Sequence, residues 1–478
     1  MGGFADDFAA EITGYIMRVI GQASAWVVLA AARLSGRRPD MQKTAAQAAY
    51  AAKNPPVNRR LASPAPHGVF FGTRGGQYVV KPEGMDGHVL VVGGTGSGKS
   101  SCIAIPTLRN WKGAVFAVDI KGELYENTKQ YRPKIKLFSP ADAKNVYSYD
   151  PFVFLNASPN PAQEARAIAQ SIIPLPYDIK EPFWIESAQI ILTGAILHFR
   201  HEKFSFIDAL KRIQSSNPRA LIKAVADSSD DKAALCVQSF VDIEGKVLAG
   251  IAAEISRGIV TLVTDDDIVA ALTCDDGKEV ITPADLEEGS DIYIKVPEHL
   301  LRQWKSLLTL MINQFITFFE RRIEHPDNRP ILFLLDEFPR LGKIPSITDA
   351  LATLRSKKIT LCLIVQSLAQ LELIYGLESR KVIADTCAFK AILSATDADT
   401  QEYFSKLVGT YEKIRRSQSQ NFDPYINAPT GSGASYAEDN EKRIIKPEEF
   451  AALQEIILLY PLPLNFCRVR KQPYYLTR

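Results

Sequence analysis

The run Gly93, Gly94, Thr95, Gly96, Ser97, Gly98, Lys99, Ser100 fits the eight-position phosphate-binding loop, with Gly93, Gly98, Lys99 and Ser100 at its fixed places. Small residues let the backbone curl until successive N–H groups converge on phosphate oxygens, and a following helix adds the positive end of its dipole. In such a loop Lys99 reaches the β- and γ-phosphates and Ser100 holds Mg2+. The nucleotide-binding stretch is read as these eight residues plus Ser101, and ATP and Mg2+ are the expected cofactors. The second carrier of chemistry is ILFLLDE, residues 331–337, an apolar run ending in two carboxylates. Asp336 is placed to organise the Mg2+ shell, and Glu337 to polarise the attacking water and take its proton.

Three further groups are weighed. Gln366 follows the apolar run 359–365 and should emerge at the carboxyl edge of a sheet, where an amide can sense the γ-phosphate or cap the next helix. Arg355 belongs either to a solvated basic turn with Lys357 and Lys358 or to a cationic site for a phosphoryl group. Asp119, Lys121 and Glu123 follow another buried run, and either Mg2+ organisation or a surface turn accounts for Asp119. His198 and His201 are three apart without a third ligand nearby, so no histidine is assigned to a metal. The six cysteines form no paired or clustered pattern, which removes a zinc site and a disulfide framework and fits a reducing compartment.

The elements that must position these groups are those of an α/β fold. Strands are predicted at 88–92, running into the glycine loop, and at 114–118, 135–138, 291–296, 331–335, 359–365, 388–393 and 466–469. Residues 161–259 carry helical stretches at 163–173, 183–199, 218–227 and 245–262, separated by polar punctuation such as DSSDDK. This block is predicted to be an inserted all-α domain, dividing the nucleotide-binding domain into 67–160 and 260–478. It accounts for much of the span of more than two hundred residues between Lys99 and Asp336. Trp184 opens one of its helices and is read as a core anchor. Residues 416–438 are a loop candidate, and NPPVNRRLASPAP, residues 54–66, a linker.

Hydrophobic residues make up 46% of the 478-residue chain and charged ones 23%, the composition of a folded protein. The net charge of +2 gives no argument for nucleic acid, so such a substrate has to be argued from elsewhere. Residues 1–66 are read as a helical segment and linker. Within it, 12–34 is apolar but interrupted by Arg18, Gln22 and Ser24; its uninterrupted part, 25–32, is too short to span a bilayer. Arg33, Arg37 and Arg38 follow as a cytoplasmic flank would, so either a membrane-associated helix or a partner-binding helix fits. Asp6, Asp7 and Glu11 stand where a secretory leader would be basic.

In order along residues 67–474, the motifs resemble those of the coupling ATPases of type IV secretion and conjugation, the TraG-like DNA-transfer family. HGVFFG resembles the family's entry segment, and HVLVVGGTGSGKSSCIAIPTLRNWKGAVFAVDIKGELYENTKQYR its P-loop region almost end to end. Phe183 and Trp184, then LLDEFPRLGKIP, LIVQSLAQLELIYG and DADTQEYFSKLVG, resemble later motifs. The resemblance implies a RecA-like nucleotide domain with an all-α insertion, assembled as a homo-hexamer on a type IV secretion channel at the cytoplasmic face of a bacterial inner membrane. It implies single-stranded DNA with an attached relaxase, or effector proteins, as cargo. It further implies that Gln366 senses nucleotide and that Arg355 is donated to a neighbouring subunit's site. Two departures stand: relatives begin with two membrane-spanning helices, and their P-loop commonly opens Ala-Pro-Thr-Gly rather than Gly93-Gly94-Thr95-Gly96. A nucleotide-stabilised adaptor with little turnover and a cytosolic translocase or helicase of the same fold are the alternative readings. Polymer-stimulated hydrolysis separates motor from adaptor.

Overall fold

The computed structural model describes residues 50–142, 146–274, 277–422, 429–462 and 465–476. The apolar segment 12–34 lies outside the described residues. Two compact units divide the chain. One comprises residues 66–70, 80–388 and 472–478; the other comprises 1–65, 71–79 and 389–471.

The larger unit is built on six parallel strands: β1 (Val89–Val92), β2 (Ala114–Asp119), β3 (Ile135–Phe138), β4 (Asp291–Lys295), β5 (Ile331–Leu335) and β6 (Ile359–Val365). Their spatial order is β3-β4-β2-β5-β6-β1. Every residue of β1, β2, β5 and β6 is buried, as parallel strands covered on both faces require. This explains why these strands read as continuous apolar runs rather than alternating ones. The helix Lys305–Glu320 packs on the sheet, with Phe315 against Phe116 at 4.8 Å between ring centroids and Phe116 in turn on Phe333 at 4.9 Å.

Between β3 and β4 the chain forms a run of helices: α3 (Pro151–Ala157), α4 (Pro161–Ile172), α5 (Phe183–His201), α6 (Phe206–Ser215), α7 (Pro218–Ala226), α8 (Asp231–Val237), α9 (Gly245–Thr264) and α10 (Asp266–Leu272). The earlier α1 (Ile105–Asn110) and α2 (Glu123–Thr128) follow β1 and β2. The polar punctuation proves to be capping. Ser205, Asn217, Asp230 and Asp265 accept hydrogen bonds from the opening N–H groups of α6, α7, α8 and α10. DSSDDK thus starts α8, which the sequence reading left out. α9 is long and apolar enough to cross a membrane by composition, yet Leu248, Ile251, Ile255, Ile259 and Leu262 form one buried face along it. Gly250 of α9 lies under the Trp184 indole, where a Cβ would come within 2.7 Å of the ring. Trp184 is half-buried there rather than a full core residue.

The two ends of the helical run are fastened at one root. Tyr147–Ser148 pairs in parallel with Glu279–Val280, and the Tyr149 N–H donates to the Ala271 carbonyl at 2.9 Å. The Tyr149 hydroxyl donates to Gln314 Oε1, and Trp304 Nε1 donates to Asp265 Oδ2 at 2.9 Å. Both contacts tie the root to the neighbourhood of the sheet-packed helix Lys305–Glu320.

In the smaller unit, Phe389–Ile392, Glu455–Leu459 and Phe466–Arg470 pair antiparallel in that order. The strand at 455–459 was not anticipated: EIILL follows a 3-10 turn without a glycine or asparagine to mark its start. Of residues 416–438, expected as a loop, 416–422 and 429–438 lie in a long antiparallel ribbon of Thr410–Phe422 and Pro429–Arg443, and 423–428 lie outside the described residues. A ribbon satisfies its backbone by cross-strand pairing and needs no apolar face to be legible, which is why polar RSQSQ and TGSGAS gave no strand signal. Within the expected linker, Ala62–Ser63 pairs with Tyr78–Val79.

The buried pair Arg132–Asp291 closes one side of the larger sheet. Nε and Nη2 donate to the two carboxylate oxygens at 2.6 and 2.7 Å, and the remaining donors go to the carbonyls of Leu108, Trp111 and Gly113. Asp291 also accepts from the Val115 N–H at 2.9 Å. Removing the guanidinium strands a carboxylate whose pKa burial already pushes upward. Arg132→Met should therefore cost about 3–5 kcal/mol in denaturant unfolding, and Asp291→Asn, which leaves the guanidinium without its counter-charge and sets an amide NH2 against an N–H donor, a comparable amount.

Candidate nucleotide site

The carboxyl ends of four neighbouring strands deliver the candidate groups side by side. β1 ends at Gly93, whose N–H donates to the Val365 carbonyl of β6 at 3.1 Å. β6 ends at Gln366, β5 at Asp336 and Glu337, and β2 at Asp119. The register sets Leu335 beside Val118, so Asp336 and Asp119 leave the sheet at the same level.

The glycine loop turns through Gly96 at φ 76° and Gly98 at φ 99°, conformations that residues with a Cβ adopt only at a cost. Lys99 begins a helical stretch, Lys99–Ala104, that continues into α1, so the loop feeds a helix N-terminus as the motif requires. The Lys99 ammonium is buried and donates to the carbonyls of Gly93 at 2.7 Å and Gly94 at 3.2 Å. Burial lowers its pKa, with Glu337 and Asp336 pulling it back up. Gly94, Thr95, Gly96, Ser97, Ser100 and Ser101 are exposed or half-buried along the loop.

Asp336 and Glu337 are each 5% exposed. Desolvation, and then repulsion from Glu337, push the Asp336 carboxyl up to about 6. Its Oδ1 accepts from the Glu337 N–H at 3.0 Å. Glu337 itself has left-handed backbone, φ 49° and ψ 39°, an uncommon state for a residue with a side chain and one that concentrates at functional sites. Its Oε2 accepts from Gln366 Nε2 at 2.9 Å, and Lys121 Nζ stands 4.0 Å from Oε1. Asp119 is 1% exposed; Oδ2 accepts from the Tyr125 N–H of α2 at 2.8 Å, while Oδ1 is buried without a hydrogen-bond partner among the described residues. Burial is the main cause raising its pKa, opposed by backbone N–H donors of Tyr125, Leu124 and Gly122. The Ser97 hydroxyl is likewise buried and has no hydrogen-bond partner among the described residues. An unpaired hydroxyl in the glycine loop, an unpaired carboxylate oxygen beside Asp336 and a buried ammonium satisfied only by loop carbonyls make a donor and acceptor set that fits a phosphate-bound divalent cation.

Arg355 is not brought to this edge. It lies in the turn before β6, 62% exposed, with Nε 3.9 Å from Asp86 Oδ2. The seven residues of β6 separate it from Gln366, about 23 Å at about 3.3 Å per residue. Gln370 joins the site without having been singled out: its Nε2 donates to Gln366 Oε1 at 3.3 Å. Its only signal in the sequence is the four-residue spacing from Gln366 at the start of a helix. Lys121 stood only in a polar cluster with two possible readings, and the structure sets it beside Glu337. His198 donates to or accepts from Ser228 Oγ at 2.9 Å, and among the described residues no group of His, Cys, Asp and Glu is arranged to hold a metal by itself.

Comparison with known proteins follows the same lines. The chain is 28% identical to protein VirD4 of Agrobacterium fabrum over 410 residues, 83% of this chain and 60% of that protein. It is 24% identical to the conjugal transfer protein TraG of Escherichia coli over 400 residues, 76% of this chain and 61% of that one. The chain thus spans about three-fifths of the length of these relatives. Among solved structures it resembles the plasmid coupling protein TrwB in complex with ADP and Mg2+, with a TM-score of 0.65 and 18% identity over 84% of this chain and 88% of that one. TrwB with the non-hydrolysable ATP analogue ADPNP gives the same TM-score at 17% identity, again over 84% of this chain and with 89% of that chain covered. The shared fold is that of a RecA-like nucleotide domain with an all-α domain. The family model for type IV secretory system conjugative DNA transfer matches residues 40–476, and this chain belongs to that family.

Proposed function

We propose that this chain is an ATP-hydrolysing coupling motor that recruits relaxase-bound single-stranded DNA, effector proteins or both and feeds them to a type IV secretion channel. The observation that carries this reading is the convergence of Lys99, Asp336, Glu337 and Gln366 on the glycine loop, at one edge of one sheet. Loop N–H groups and the helix N-terminus bind the phosphates, and Lys99 exchanges its loop carbonyls for β- and γ-phosphate oxygens. Ser100 and Asp336 would hold Mg2+, whose charge offsets that of the phosphates. Glu337 accepts the proton of the attacking water, and Gln366 beside it registers the γ-phosphate.

Arg355, exposed at the opposite edge of the sheet, cannot serve its own glycine loop but suits donation to a neighbouring subunit's site in a hexameric ring. The helical run mixes Lys211, Arg212, Arg219, Lys223 and Lys246 with Asp227, Asp230, Asp231, Asp242 and Glu244. That mixture lacks the uniform positive field of a DNA grip and suits recognition of a protein cargo. The channel-side location proposed is the cytoplasmic face of the inner membrane, in keeping with the family.

Hydrolysis and binding should separate in two variants. Lys99→Ala is expected to lose most turnover and to weaken ATP binding, whereas Glu337→Gln keeps binding and slows single-turnover hydrolysis by about a hundredfold or more. Normal turnover in both would sink the ATPase reading.

Arg355→Ala should lower turnover only in assembled rings, and mixing it with Lys99→Ala subunits should restore part of the activity where an intact loop meets an intact arginine. Strictly additive inactivity in rings of confirmed assembly counts against donation.

Gly258 of α9 lies against Ile173, where an added Cβ would meet its side chain at 2.7 Å, so the chain between them can be shortened at little span. Exchanging residues 183–257 for a short linker, with nucleotide binding retained as the check on folding, should abolish binding of relaxase or effector and spare weak DNA binding. Unchanged affinity for both protein classes would refute cargo recognition by these helices.

A further inference from the structure

The hydrogen-bond directions around Glu337 are dictated by chemistry. An ionised carboxylate only accepts, so the Gln366 group at 2.9 Å from Oε2 has to be the amide nitrogen. The Gln366 oxygen must then face the other way, where Gln370 lies at 3.3 Å, and Gln370 has to present its own nitrogen to it. A glutamine amide keeps nearly the same shape when its oxygen and nitrogen exchange places, so shape alone does not hold Gln366 in the productive sense. A flipped Gln366 would set an oxygen against the carboxylate. Gln370 supplies the donor that disfavours that flip, while its own Oε1 is buried and accepts nothing among the described residues.

The element carrying Gln370 is fixed to the turn carrying Glu337. Gln370 lies in the first turn of the helix Leu368–Tyr375, which Ser367 caps by accepting the Gln370 N–H. At the far end of that helix the buried Tyr375 ring stacks on Phe338, the residue after Glu337, at 5.6 Å and 16° between planes. Its hydroxyl donates to the Gly342 carbonyl at 3.2 Å and accepts from the Ile344 N–H at 3.1 Å. One rigid piece therefore holds both ends of the amide relay.

We propose that Gln370 is a positioning residue for ATP hydrolysis, acting through Gln366 to keep an amide N–H on the Glu337 carboxylate. This rests on the reading of Glu337 as the base. Gln370→Glu tests it with no change of shape: a carboxylate at 370 can only accept, so it draws the Gln366 nitrogen and turns the Gln366 oxygen toward Glu337. In the full-length protein, Gln370→Glu should slow single-turnover hydrolysis about tenfold or more, with affinity for a non-hydrolysable ATP analogue within about twofold of wild type. Gln370→Met, which only removes the donor, should give a smaller loss of about two- to fivefold. In a Gln366→Ala background either substitution should change the rate by less than about twofold, which a packing role for Gln370 would not produce. Wild-type rates in Gln370→Glu and Gln370→Met, or losses undiminished by Gln366→Ala, overturn the relay. Should Gln370→Glu fail to fold, Gln370→Met in the two backgrounds decides the matter by itself. Glu337→Gln measured alongside separates the two failures: a slow Glu337→Gln with unaffected Gln370 variants removes only the relay, whereas a fast Glu337→Gln removes the base assignment and the relay together.

Discussion

Two adjacent carboxylates and one ammonium share a nearly dry patch at the edge of a parallel sheet, and the rest of the site is arranged around that constraint. Asp336 and Glu337 are almost fully buried; both carboxylates pull the pKa of the buried Lys99 back up, and the Lys99 charge in turn lowers that of Asp336. Like charges side by side in low dielectric cannot both stay ionised without donors around them. Burial first and repulsion from Glu337 second push the Asp336 carboxyl up, while Gln366 and the Glu337 N–H supply donors and Lys121 a nearby positive charge. A second cation placed between phosphates and carboxylates would relieve the same stress, which is the physical reason the edge suits Mg2+.

The sheet makes this patch possible because parallel strands all present their carboxyl ends on one side. Four successive strands place glycine loop, amide, carboxylate pair and third carboxylate in a row, and the register fixes their level. The same geometry sends Arg355 to the opposite edge, more than a strand's length from its own loop. Its exposure at that edge is what the proposal of donation to a neighbouring subunit rests on.

The helical run interrupts the nucleotide unit without disturbing it, since its ends are paired strand to strand and pinned beside the core helix. The strands that flank the run, β3 and β4, pair in parallel with each other. α9 shows how composition misleads here: an apolar helix long enough for a membrane is apolar because one of its faces is core.

The sequence by itself determined the glycine loop, the strand ending in Asp336 and Glu337 and the six segments that form the larger sheet, because each is local, and the order of its motifs marked the family; the parallel pairing of those strands came from the structure. A loop that wraps phosphates needs glycines at fixed spacing, and a strand buried on both faces must be apolar throughout. Tertiary structure alone decided which polar residues meet. Gln366, just after β6, meets Glu337, just after β5, because parallel pairing sets the two strand ends side by side, and Lys121, just after β2, stands 4.0 Å from the same carboxylate. Gln370 had only its four-residue spacing from Gln366 to mark it, and the fold brings it to Gln366 on a helix whose Tyr375 stacks on Phe338. The ribbon of residues 410–422 and 429–443 was invisible for the converse reason: its strands answer to backbone pairing with each other, and their polar sequence carries no alternation of apolar residues.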